Sequence, residues 1–212
     1  MKGRIILASA SPRRIEILRR HGAEAIVMPA DVDEFLPEGT EPRMGCMYNA
    51  LKKALYVESL LKGDPAEDAA EADTFIIGAD TIVFDGRILG KPGNDAEAFS
   101  ILQSLRNRTH QVMTGTAVIR AGKDDRRVFC ECTSVSFGEY SDQEILDYIA
   151  TGEPADKAGA YAIQGGWSAH VTEISGDYYN VIGLPWERLR KELLSMGADV
   201  QFSEEQHIGE SR

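Results

Sequence analysis

Two apolar runs in the middle of the chain limit its fold more than any other feature. Residues 112–120 (VMTGTAVIR) and 127–137 (RVFCECTSVSF) are rich in β-branched residues, and only a short polar turn, Gly122 to Asp125, lies between them. A parallel pair would need a crossover of a dozen or more residues, so a turn this short makes the two strands antiparallel neighbours. Elsewhere strand-like runs alternate with helical stretches, the pattern of an α/β protein. The long pair therefore makes the sheet mixed rather than parallel throughout.

Around that pair the pattern predicts a strand over Arg4–Ala8, a helix from Ser11 to about His21 ended by Gly22, and a short strand over Ala25–Met28. Asp31 to Thr40 reads as a loop, and Glu41 to Leu61 as a long helix stopped by Gly63-Asp64-Pro65. Thr74–Ile77 reads as a buried strand leading into Gly78-Ala79-Asp80-Thr81, followed by a tight hairpin around Asp85-Gly86. Helices are predicted over Asn94–Leu105, Ser141–Ala150 with a capping box to Glu144, and Pro185–Ser195. Gly159 to Tyr179 is rich in glycine and aromatics, has no period, and must fold through tertiary contacts. The 212 residues fit one large domain or two small lobes. We read residues 1–195 as a single domain and 196–212 as a polar tail.

The formal net charge is −11, which excludes a general binder of nucleic-acid polymers, since those are normally basic. A phosphorylated ligand would need a small pocket that concentrates the few cations. The apolar run after Lys2-Gly3-Arg4 is too short for a signal-peptide core or a membrane span, so no membrane partner and a cytoplasmic location are expected. Cys46, Cys130 and Cys132 imply no disulfide framework. Cys130 and Cys132 share one strand face; they could be a metal pair, but no second pair exists, and they read as small, buried or half-buried side chains.

The arginines of "SASPRR" stand out. With Ser11 as N-cap and Pro12 at the first position, Arg13 and Arg14 fall in the first turn, where the helix dipole repels them. A bound anion would reverse that penalty, because free N–H groups, Ser9 and two guanidinium groups would converge on it. On this reading neither arginine is needed for the stability of the empty protein. Asp80 follows an apolar strand and reads as a metal ligand, a general base or a turn former. Asp31, Asp33 and Glu34 form an acidic loop cluster that could add a second oxygen ligand. Lys53, beside Ala50 and Val57 on the long helix, and Lys91, between Gly90 and Pro92, could each reach a phosphate or be surface lysines. Tyr161 and Gln164 could line a pocket, the amide suiting the edge of a base.

Together "LASASPRR", the Glu of "VDE", the Lys of "KKA", "GADTIV", "LGKP", "THQVMTG", "EPADKAGAYAIQG" and "VIGLP" resemble, in order, the Maf family of nucleoside triphosphate pyrophosphatases. The resemblance implies a mixed twisted sheet with flanking helices in two lobes around a central cleft. It implies hydrolysis of a nucleoside triphosphate to the monophosphate plus pyrophosphate with a divalent cation, Mg or Mn, and a homodimer. It makes Asp80 the proton acceptor, sharing the metal with Glu34. Ser9, Arg13, Arg14, Lys53 and Lys91 would hold the triphosphate. Arg13, Thr81 and Gln164 match the branch that prefers dTTP and UTP, with modified pyrimidine nucleotides as further substrates. Lys52 departs from the acidic residue usual before the helix lysine. Two other readings follow: a non-catalytic nucleotide-binding regulator of septum formation, and an enzyme for inosine or xanthosine triphosphates. The complete set of Asp80, Glu34, Lys53 and Lys91 favours catalysis over the first, and Thr81 with Gln164 argues by resemblance against the second.

Overall fold

A computed structural model describes residues 3–61 and 73–198. Its strands are β1 (Arg4–Leu7), β2 (Ala25–Val27), β3 (Thr74–Phe84), β4 (Ile88–Leu89), β5 (Thr109–Arg120), β6 (Arg126–Phe137) and β7 (Val171–Ser175). Its helices are α1 (Pro12–Arg20), α2 (Pro42–Leu61), α3 (Asp95–Leu105), α4 (Asp142–Ala150), α5 (Tyr178–Ile182) and α6 (Trp186–Ser195). All seven strands form one sheet in the order β2-β1-β3-β5-β6-β7, with β4 also on β3. β1 is parallel to β2 and β3, and the remaining pairs are antiparallel, so the sheet is mixed as the central pair dictates.

The structure corrects the reading around Asp80. The two expected strands are one, Thr74–Phe84, and Asp80 lies within it rather than at a strand end. The cause is non-local: β5 pairs with β3 continuously from Phe75 to Phe84, and Asp80 faces Gly115 in that ladder. The following hairpin has a three-residue loop, because Phe84 pairs with Ile88, and Gly86 takes the left-handed conformation (φ 68°) that the turn requires. Residues 159–179 hold 3₁₀ turns, β7 and the start of α5. Ser11, Glu41 and Pro185 stand just ahead of their helices, and the Glu41 carboxylate accepts from the N–H groups of Arg43 and Met44 at 3.2 and 2.8 Å. The Gly63-Asp64-Pro65 stop, the residues after it up to 72 and the tail beyond Ala198 lie outside the described residues.

Two apolar layers enclose the sheet. On one face Ile6, Ile76, Ala117 and Ile119 pack against Ala50, Ala54 and Val57 of α2. On the other, Leu7, Phe75, Ile77 and Val118 join Leu18, Leu102, Trp186 and Leu189 in the larger core. The helix α2 rides directly on the strands because two glycines leave room for it. A Cβ on Gly78 would lie 2.1 Å from the Ala50 carbonyl oxygen, and one on Gly115 would lie 2.3 Å from the Cys46 carbonyl carbon.

The sheet also contains a notch. β1 pairs with β3 only as far as Ile77, and the pairing of β4 with β3 begins at Val83. Along that edge of β3, residues 78–82 have no strand neighbour among the described residues. The notch separates a β1–β2–α1 side from a β4–α3 side and forms the floor of the cleft. Among the described residues no helix is long and apolar enough to cross a membrane.

Candidate active site

A cavity of about 680 Å³ opens at the notch. Ser9, Arg13, Arg14, Glu34, Lys53, Asp80, Thr81, Lys91 and Gln164, the nine residues that the resemblance assigns to the site, line it, whereas Asp31 and Asp33 of the acidic loop cluster do not. Consecutive residues of a strand point to opposite faces. Asp80 therefore turns toward α2, and Thr81 turns toward α1.

On the α2 face, Lys53 is buried and donates to Asp80 Oδ1 at 2.7 Å, Glu34 Oε1 at 2.9 Å and the Ala79 carbonyl at 3.3 Å. An ammonium has three donors, so Lys53 is fully engaged. It is not the surface lysine that its helix position also allowed, and its charge is matched by two carboxylates. The second Asp80 oxygen accepts from Asn49 Nδ2 at 3.2 Å, and the same amide donates to the Glu34 carbonyl at 3.0 Å. Both partners are acceptors, which fixes the orientation of the Asn49 amide and leaves its Oδ1 buried without a partner among the described residues. Burial raises the Glu34 carboxyl, but its hydrogen bond to Lys53 and the charges of Lys53, Lys91 and Arg14 outweigh that, so it ends below the ordinary carboxylate value.

The Thr81 face is built differently. Arg14 is buried and donates through Nε to the Gly183 carbonyl at 2.8 Å, through Nη1 to Ser9 Oγ at 3.0 Å and through Nη2 to Thr81 Oγ1 at 3.0 Å. All three acceptors are neutral, and Arg14 has no ion-pair partner among the described residues. Burial pulls its guanidinium below the ordinary value, with the charge of Asp80 opposing. Thr81 is held in turn by Thr114 at 3.0 Å, whose hydroxyl donates to the Asn180 carbonyl at 2.8 Å.

This corrects one expectation. Arg14 does not wait in solvent for an anion. It ties α1 to β3 and to the turn after α5, so the empty protein needs it. Arg13 is placed differently: it lines the cavity half-buried, and its Nε is buried with no partner among the described residues. Ser11 is the N-cap of α1 but makes no side-chain cap hydrogen bond, so the first-turn N–H groups stay free for an anion. Lys91 and Gln164 are exposed at the cavity wall, beside the apolar Val83, Val112, Tyr161 and Ile163. Lys52 lies over the Tyr48 ring at 4.7 Å and donates to the Asp33 carbonyl, away from Asp80.

Sequence reasoning missed Asn49, Thr114, Asn180 and Gly183. Only Asn49 had a local signal, since it precedes Lys53 by four residues and so shares its helix face. The other three join the network through contacts far apart in the chain.

Comparison with known proteins places the chain in a family. Residues 4–196 match the family described as Maf-like protein. A dTTP/UTP pyrophosphatase of Clostridium acetobutylicum is 47% identical over 201 residues, covering 93% of this chain and 100% of that protein. One from Caldicellulosiruptor saccharolyticus is 44% identical, covering 95% and 98% respectively. A third, from Bacillus cereus, is 46% identical, covering 93% and 97%.

Proposed function

Because the chain belongs to the Maf family, we propose that it hydrolyses dTTP and UTP to the monophosphate plus pyrophosphate, with modified pyrimidine nucleotides as further substrates. The observation that supports this most is the separation of charge inside one cavity. Asp80 and Glu34 form a negative pole around Lys53, while Arg13, Arg14, Lys91 and the start of α1 form a positive one.

On this reading the triphosphate lies at the positive pole, held by Arg13, Ser9, Lys91 and the free N–H groups of α1. Arg14 adds its charge from behind, and Thr81 acts by holding Arg14 rather than by touching the base. Water attacks the α-phosphorus, its proton passes to an Asp80 oxygen, and the bond to the bridging oxygen of pyrophosphate breaks. Asp80 is fit for this because Lys53 and Asn49 hold one oxygen each, which fixes its orientation while leaving lone pairs for the proton. Arg13 and Lys91 balance the charge that develops on the leaving pyrophosphate. Gln164 offers both a donor and an acceptor at the cavity wall, as a pyrimidine edge requires.

The negative pole also fits a hard divalent cation such as Mg or Mn. Two carboxylates, Glu34 and Asp80, converge on Lys53, and both are hard oxygen donors. Such an ion, when bound, neutralises phosphate oxygens and makes water a better nucleophile.

The test is pyrophosphate release from dTTP, UTP, dATP, dGTP and ITP with Mg or Mn. Release from dTTP and UTP, with little from the purines, is expected. Binding without release would move the protein to the regulator reading, and preference for ITP would move it to the other branch of pyrophosphatases.

A further inference from the structure

The row of residues that carries Asp80 continues across the sheet into chemistry that hydrolysis does not use. Asp80 of β3 pairs with Gly115 of β5, and Gly115 pairs with Cys130 of β6. Gly115 has no side chain, so the backbone of α2 at Cys46 rests on the strand there. That contact carries the Cys46 thiol over the bare strand to Cys130, and the two sulfurs lie 3.6 Å apart. Both thiols are free, Cys46 buried and Cys130 half-buried. Three and seven residues after Cys46, on the same helix face, come Asn49 and Lys53, the two donors that hold Asp80.

We propose that Cys46 and Cys130 are a redox modification site: a hydroperoxide converts them to a disulfide, and the disulfide draws Asn49 and Lys53 out of register with Asp80. In the first step the Cys130 sulfur attacks one peroxide oxygen. The O–O bond breaks, Cys130 becomes a sulfenic acid, and the other oxygen leaves to take up a proton as water or alcohol. The Cys46 sulfur then attacks the sulfenic sulfur, the S–S bond forms, the S–O bond breaks, and the departing hydroxide takes the Cys46 proton as water. The two thiols lose two electrons, and the peroxide gains them.

Several features support this order of events. Cys130 is the more accessible sulfur. The hydrogen bond from Cys46 holds its thiol below the ordinary value against the effect of burial, with Arg43 adding to the shift, while the Cys46 thiol is pushed up. A covalent link needs the sulfurs about 2 Å apart, so they must close by roughly 1.5 Å. The helix cannot supply that movement by approaching the sheet, because its backbone already rests on Gly115. Whatever closure side-chain rotation does not supply is taken up by a slide or roll of the helix, and Asn49, one turn further on, moves with it. Cys132 pairs with Met113, two positions along β6, which makes it a control within the same strand.

The full-length protein is treated with hydrogen peroxide, quenched with an alkylating agent and mapped by peptide mass spectrometry. Turnover of dTTP is followed in parallel. A Cys46–Cys130 cross-link is expected, with turnover falling on the order of tenfold to a hundredfold, as ångström-scale displacement of positioning groups produces, and recovering with dithiothreitol. Cys130→Ser should keep its basal turnover and resist peroxide, whereas Cys132→Ser should remain sensitive. A Cys130–Cys132 link, sulfinic or sulfonic acid on Cys130 without a cross-link, or full turnover by the cross-linked protein would each overturn the proposal. The cross-link map is read without substrate, so its outcome is separate from that of the hydrolytic reading.

Discussion

Lys53 and Arg14 are two buried cations on opposite faces of the same strand, and they are compensated in opposite ways. Lys53 meets two carboxylates, Asp80 and Glu34, and its ammonium has no donor to spare. Arg14 meets a backbone carbonyl and two hydroxyls, all neutral. Neutral acceptors satisfy the geometry of a guanidinium without cancelling its charge. The Lys53 face is thus an ion cluster with one carboxylate charge in excess, which orients Asp80. The Arg14 face is a hydrogen-bonded clamp that leaves a positive field at the start of α1. Charge alone would not separate the two, but the kind of partner does.

The largest effect expected from this contrast is on the Lys53 face. Asp80→Asn keeps the shape but removes the proton acceptor, and turnover should fall roughly 10²- to 10⁴-fold, the range for a lost general base. Steady-state pyrophosphate release measures it, and near-normal turnover would reduce that cluster to a structural ion pair. Next comes the clamp. Arg14→Ala strands the Gly183 carbonyl and two hydroxyls in a buried site, and the protein should lose about 2–4 kcal/mol of stability in urea unfolding. Arg14→Lys should not restore it, because an ammonium does not reproduce the guanidinium fork. An Arg14→Ala protein as stable as the parent would show that the two faces do not differ as argued.

A smaller effect is expected at Asn49, which touches Asp80 but carries no charge. Asn49→Ala should lower kcat by about tenfold to a hundredfold with little change in KM, since it removes orientation rather than substrate binding. An equal loss in the Lys53 and Asn49 variants of nucleotide affinity, with kcat kept, would place Asn49 at the substrate instead.

The Arg14 face continues along β5 from Thr114 to His110, where neutral partners again dominate. His110 Nε2 lies 2.7 Å from the Tyr161 hydroxyl, its Nδ1 is buried without a partner among the described residues, and burial lowers its pKa to about 4. The folded value lies below the unfolded one, so between about pH 6.5 and 4 the unfolded chain binds more protons. The contribution to stability is complete above pH 6.5 and is lost as pH falls toward 4, at up to about 1.4 kcal/mol per pH unit. Urea unfolding at pH 7 and pH 5.5 measures the slope, and His110→Phe should flatten it. An unchanged slope would assign the pH dependence to other groups.

How much of this was legible follows the range of the interactions. The central antiparallel pair, the capping box at Ser141 and the hairpin at Asp85-Gly86 are local, and the structure contains all three. The ordered motifs brought nine cavity residues to attention, because each keeps its own short signature. The continuity of β3 through Asp80 was not legible, since it depends on pairing with β5 some thirty residues later. Nor was the difference between Arg13 and Arg14. Neighbours on a helix point about a quarter-turn apart, and only the positions of β3 and Gly183 decide which arginine is enclosed.

That difference supplies the smallest expected change in stability. Arg13 opposes the dipole of α1, and among the described residues its Nε has no partner and no hydrogen bond or ion pair ties its side chain to another element. Arg13→Ala should therefore leave urea unfolding within about 0.5 kcal/mol of the parent, as substitutions outside packed or bonded sites do. It should still weaken the nucleotide, because a charge-assisted contact to phosphate is worth about 1.5–3 kcal/mol, or roughly tenfold to a hundredfold in KM or Kd. Measured beside Arg14→Ala, the pair isolates what each arginine is for. Loss of affinity without loss of stability at Arg13, and loss of both at Arg14, is the expected result. A marked loss of stability at Arg13 would mean that "SPRR" is one structural unit and that the positive pole of the cavity is a by-product of packing.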